Sequence, residues 1–169
     1  MVNGFQFYIF TDHIGLDEDA TARALSANAI LFLVTALAGA AVAGPLSDRL
    51  QRRKAFVIGA SLLAVVAIAV PLAVPTAAGM AGFASVGGLA FGIYYAVDAA
   101  LMSEVLPGHE SHARDLGILD MANTGGQVLA PVAGAALVGL GLGFVPVFVG
   151  AMVAGALGAA CMPPIRSVR

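Results

Sequence analysis

The residue with the most chemistry to offer is an aspartate set in an apolar run. Asp98 is the only charged residue between Met80 and Met102. A carboxylate there costs several kcal/mol unless it faces protein or water, or takes up a proton. Phe91, Tyr94 or Tyr95, Asp98 and Met102 fall near one face at helical spacing. Rings with a nearby carboxylate suit a sugar, whose apolar face stacks and whose hydroxyls need acceptors; they suit a cationic solute equally. Asp98, with Tyr94 and Tyr95 beside it, is thus the candidate for substrate or proton coupling. The alternative is a protonated carboxyl bonded to a neighbouring helix for packing alone.

A second polar pattern follows. Asp120, Asn123, Thr124, Gln127, Pro131 and Gly134 recur at intervals of three, four or seven and draw a polar, small-residue stripe along one helix face. Asn123 and Gln127 offer donors and acceptors to a solute. The same amides also serve as interhelical glue, and the spacing leaves both roles open. Gly88 with Gly92, and Gly150 with Ala154, have the four-residue small-residue spacing of close helix packing.

Other chemistry is missing its parts. His109, Glu110 and His112 spell HESH, whose histidines lack the register of the H-E-x-x-H zinc helix, so a solvated loop is expected. Cys161 is the only cysteine, which leaves no internal disulfide and no thiolate-rich metal site. No nucleophile or phosphate loop has the company it needs, so neither an enzyme nor a cofactor is expected. With one lysine and a net charge of -2, a nucleic-acid surface is excluded as well.

These side chains must be positioned by membrane helices. Of the 169 residues 60% are hydrophobic and 11% charged, and mean hydropathy is +0.94; a water-soluble shape could not cover so much apolar surface. Residues 26–44, 55–74, 78–106, 117–139 and 144–162 are apolar runs long enough to cross a bilayer as helices. Residues 1–10 form a partial sixth, expected to be the tail of a helix that has lost its beginning. Runs without strict alternation favour helices over barrel strands, giving an all-α bundle of five full transmembrane helices plus a partial one. Asp98 then lies about six residues, roughly 9 Å, from the centre of its span.

Charge sits in the connections. Arg49, Arg52, Arg53 and Lys54 share one loop, Arg114 lies two spans later, and Arg166 and Arg169 follow the last span. All three positions fall on one side, which the positive-inside rule makes cytoplasmic, together with the C-terminus. The opposite side carries Asp12, Asp17, Glu18 and Asp19, with Arg23 as the one exception.

The loop reads GPLSDRLQRRK from Gly44 to Lys54. Here the chain resembles the major facilitator superfamily, whose loop signature is a glycine, three residues, an Asp-Arg pair and a short basic cluster. Gly44, Asp48, Arg49, Arg52 and Arg53 match it, while Gln51 stands where the family usually has a second glycine. YYAVDAALMSEVLP and RDLGILDMANTGGQVLAP, from Tyr94 and Arg114 onward, look like the tenth and eleventh spans of bacterial transporters related to sugar and proton symporters. The resemblance implies the C-terminal six-helix half of a twelve-helix transporter of the cytoplasmic membrane. Its partners would be the bilayer, a missing N-terminal half or a second copy, a small-molecule solute and protons. Sugar/proton symport by alternating access is the implied activity, with a drug or metabolite exporter, or a non-transporting truncated half, as alternatives. Beside the resemblance, Asp48 is expected just past a helix end, where its carboxylate can accept from backbone donors or from arginine, and Glu104 lies at the depth of Arg49 and Arg52 and could pair with one of them. Asp48, Arg49 and Glu104 are thus the expected members of a cytoplasmic gate, unless the basic cluster only fixes topology and touches lipid phosphates.

Overall fold

The computed structural model describes residues 5–50, 53–105, 112–141 and 145–161. Helices α1 (Gln6–Tyr8), α2 (Glu18–Leu50), α3 (Arg53–Ala73), α4 (Ala77–Val105), α5 (His112–Gly139) and α6 (Val145–Cys161) follow in order, with a π-helical turn over Ile9–His13 after α1. No strand occurs among the described residues.

Side-chain caps set two starts. Asp17 Oδ1 accepts from the Ala20 amide at 3.2 Å and opens α2, where Glu18 and Asp19 suit the positive helix end. Thr76 Oγ1 accepts from the Gly79 amide at 3.2 Å and opens α4. Helix α2 therefore starts two turns before the apolar span expected from residue 26, and at its other end it runs through Gly44 and Pro45 to Leu50, so half of the expected loop is helix. Proline costs the helix one donor, yet the surrounding turns carry the chain past it.

Among the described residues three helices are long and apolar enough to cross a membrane: α2, the Ala55–Ala73 part of α3 and the Ala77–Asp98 part of α4. Five crossings were expected. Helix α6 is apolar over Val145–Ala160 but shorter than the criterion. Helix α5 is 28 residues long, and its charged and amide residues dilute its hydropathy.

Helix α4 is the centre of the bundle, packed against α2 on one side and α3 on the other, with α6 on the far side of α3. Glycine makes the α2–α4 approach possible. A Cβ at Gly88 would overlap Thr35 and the Phe32 carbonyl, one at Gly92 would overlap the Ala36 backbone, and one at Gly39 would come within 2.7 Å of the Leu89 carbonyl oxygen. Close packing around Gly88 and Gly92 is thus present, as expected for that spacing. The same expectation fails for Gly150, where a Cβ would meet nothing; α6 instead approaches α3 through Gly155, against Val65.

Two apolar clusters bracket the bundle. At one end Ile9 and Phe10 of the π-turn are buried with Ala67, Met80, Phe83 and Phe148, the chain turning back at Gly15 with φ 80°. At the other, Ala43, Val57 and Val97 pack with Phe56, Ile93 and Tyr94. Helix α5 stands apart, touching the rest mainly through α6.

Candidate functional site

Between the two clusters lies a cleft of about 600 Å³, walled by residues of α2 to α6. Most come from the middle turns of their helices: Phe32 on α2, Ala64 on α3, Phe91 on α4, Asn123 and Gln127 on α5. Phe83 and Ala67 belong to both the wall and one cluster, and Tyr94 to both the wall and the other. The cleft thus adjoins a packed cluster at each end of the α2–α3–α4 core.

Tyr94, Tyr95, Asn123 and Gln127, singled out from sequence, all line this cleft. Asp98 is not part of the wall; it lies one helical turn beyond Tyr94 on the same face of α4. The rings form a continuous row. Phe32 and Phe91 have centroids 5.5 Å apart, Phe91 and Tyr95 4.4 Å, and Tyr94 and Tyr95 6.2 Å. Phe91 and Tyr95 remain 46% and 50% exposed. Met102, expected on the same face, has its side chain outside the described residues.

The polar stripe of α5 is divided. Asn123 and Gln127 look onto the cleft, while Asp120 and Thr124 line a separate hollow with Gly117 and Met121. All four polar side chains are exposed. Only Gly134, among the described side chains of α5, is buried.

At the other end of α2 the ion pair differs from expectation. Asp48 was expected just past a helix end, with either backbone or arginine donors; it lies in the last turn of α2, where the helix dipole disfavours a carboxylate. The Arg53 guanidinium, at the first residue of α3, compensates by donating to its Oδ1 at 2.8 Å. This pair ties α2 to α3 across positions 51–52. Asp48 is 59% exposed and Arg53 only 16%. Gly44 sits in helix α2, where a Cβ would meet nothing within 4 Å, and Arg49 is exposed. Arg52 and the side chain of Glu104 lie outside the described residues, as do His109 and Glu110; His112 opens α5.

Sequence reasoning missed the walls contributed by α2, α3 and α6. Phe32 carries no signal in a run of apolar residues, and Ser61, Gly155 and Gly158 are ordinary small residues of a membrane helix. Among the described residues no group of three or more His, Cys, Asp or Glu is placed to hold a metal ion.

Comparison with known proteins agrees with this architecture. The family model described as Major Facilitator Superfamily matches residues 1–168. A protein of Aspergillus flavus named MFS transporter asaE is 30% identical over 123 residues, covering 70% of this chain and 28% of its own length. The chain thus spans well under half of that relative. No solved structure matches. An all-α bundle with helices fit to cross a membrane, matched by that family over nearly its whole length, belongs to the Major Facilitator Superfamily of membrane transporters.

Proposed function

We propose that this chain is one half of a secondary active transporter that moves a small solute through the cleft by alternating access, coupled to protons at Asp98. The observation that carries this is the convergence of Tyr94, Tyr95, Asn123 and Gln127 on one cleft, with Asp98 one helical turn beyond Tyr94. Amides and phenols give a solute donors and acceptors, and a carboxyl one turn beyond Tyr94 senses whether the cleft is filled. Taking or releasing a proton at Asp98 then biases which end of the cleft opens. Solute and proton moving together is the symport form, with a sugar as the polar solute. Export is the second form, favoured by the row of rings along the wall. Asp48 and Arg53, bridging α2 and α3, act as the latch of the cytoplasmic end, and Arg49 and Glu104 are its further candidate members. That end is the cytoplasmic one by its arginines.

The coupling is tested in vesicles carrying the chain in its natural transporter and loaded with a pH-sensitive dye. Solute-driven proton movement should fall at least about tenfold in Asp98→Asn, in keeping with loss of a residue whose proton is the coupled species. Unchanged proton movement would remove Asp98 from the mechanism. Alkalinisation on adding a sugar supports symport; protection of cells from a toxic compound supports export. Orientation is read by replacing Cys161 with alanine and labelling Asp19→Cys or Arg49→Cys with an impermeant maleimide. The two must label from opposite sides.

A further inference from the structure

We infer that the carboxamide of Asn28 binds an internal water that bridges α2 to α4. The site lies outside the cleft and is independent of the transport proposal.

Polar side chains in these helices ordinarily satisfy themselves on their own backbone. Thr35 donates to the Leu31 carbonyl at 2.9 Å, Ser47 to Gly44 at 2.9 Å, Ser61 to Val57 at 2.9 Å and Ser85 to Ala81 at 2.8 Å. Two residues of α2 depart from this pattern. Thr21 and Asn28 are 0% and 4% exposed, and among the described residues Thr21 Oγ1 and Asn28 Nδ2 have no hydrogen-bond partner. The chain itself already encloses both side chains, so a second half packing on its outside would not reach them. A bare amide donor in such surroundings is unfavourable, and a bound water is the ordinary partner of a buried polar group that the protein does not satisfy directly.

The placement of Asn28 says what lies across from it. Thr21, Asn28 and Thr35 recur at intervals of seven on one face of α2. Thr35 marks that face as the one turned to α4, since its hydroxyl lies 3.5 Å from the Ala84 carbonyl oxygen and beside Gly88. Phe32 meets Gly88 and Ala36 meets Gly92, so the two helices run in the same direction. One turn back along both brings Asn28 level with Ala84, and two further turns bring Thr21 level with Ala77, where α4 begins. Between Ala77 and Ala84 the residues of α4 are mostly alanine and glycine. Short side chains leave helix carbonyls open to a bridging water, and each carbonyl oxygen can accept a second hydrogen bond.

Thr21 and Asn28 are seven residues apart, about 10 Å along the helix, so neither serves as the other's partner. The contact between α2 and α4 therefore changes character along its length. Around Gly39, Gly88 and Gly92 backbone meets side chain with no room for a further atom. Two turns earlier, at Asn28, water joins the helices instead.

The test uses the full chain in lipid bilayers with isotope-labelled asparagine, of which the sequence holds Asn3, Asn28 and Asn123. Solid-state NMR follows how fast polarisation passes from water protons to each side-chain nitrogen. Asn28→Gln, which keeps a carboxamide without the label, identifies the Asn28 signal. Asn123→Ala identifies that of Asn123, which is exposed and serves as the wet reference. Transfer to Asn28 should be within about threefold of that to Asn123, as for a donor in direct contact with water. Slower transfer would mean a dry carboxamide and would overturn the inference. Ala84→Val adds bulk level with Asn28 and should slow the transfer beyond that range. Unchanged transfer in the folded variant would remove the water from the contact with α4 and overturn the bridge; should the variant not fold, the measurement on the parent chain still decides.

Discussion

Helices α4 and α5 are nearly equal in length, 29 and 28 residues, and opposite in how they are held. Helix α4 is locked between α2 and α3 by glycines that leave no room for a side chain. Helix α5 is exposed along most of its length, and its two polar faces look onto different hollows. Without a hydrophobic force between helices in lipid, close van der Waals contact must do the fixing, and α4 has it. Asn123 and Gln127 are correspondingly free to bind something other than a neighbouring helix. The contrast separates a helix fixed by close packing from one whose polar side chains stay exposed.

Substitutions on the two helices should differ in size and kind. Gly92→Leu has the largest expected effect, a destabilisation of about 3 kcal/mol measured by thermal unfolding in detergent, because the side chain must displace the α2 backbone. A protein as stable as the parent would mean that α2 and α4 do not approach as described. Replacing Asn123 and Gln127 together by alanine should lower affinity for a bound solute about tenfold, two hydrogen bonds being lost, and leave unfolding unchanged. Lowered stability with affinity intact would sharpen the contrast the other way, turning α5 into a packed helix held by its amides. Asp48→Asn should cost at most about 1 kcal/mol, since the carboxylate is mostly exposed; its larger signature is a shifted balance between the two open states if the pair is a latch. Gly125→Ala on α5, where a Cβ meets nothing, should stabilise by about 0.5 kcal/mol.

Much of this arrangement is legible in the chain. The apolar runs locate the helices, and the tyrosine pair and the two amides identify residues that do meet at one cleft, because a polar group amid apolar residues has few reasons to be there. Helix boundaries were less legible. The α2 start depends on Asp17 capping and its end on the helix continuing past Pro45, and neither alters hydropathy. Which apolar residue faces which is not encoded locally at all. Phe32 reaches the cleft because α2 crosses α4 at Gly88 and Gly92, and the emptiness around Gly150 arises because α6 meets α3 one turn later.

Helix α2, at 33 residues, measures roughly 50 Å, well beyond a hydrocarbon core of about 30 Å, so it reaches water at both ends or tilts. A rod this long absorbs a thinner bilayer by leaning further, and the glycine contacts that hold α4 against it make the two lean together.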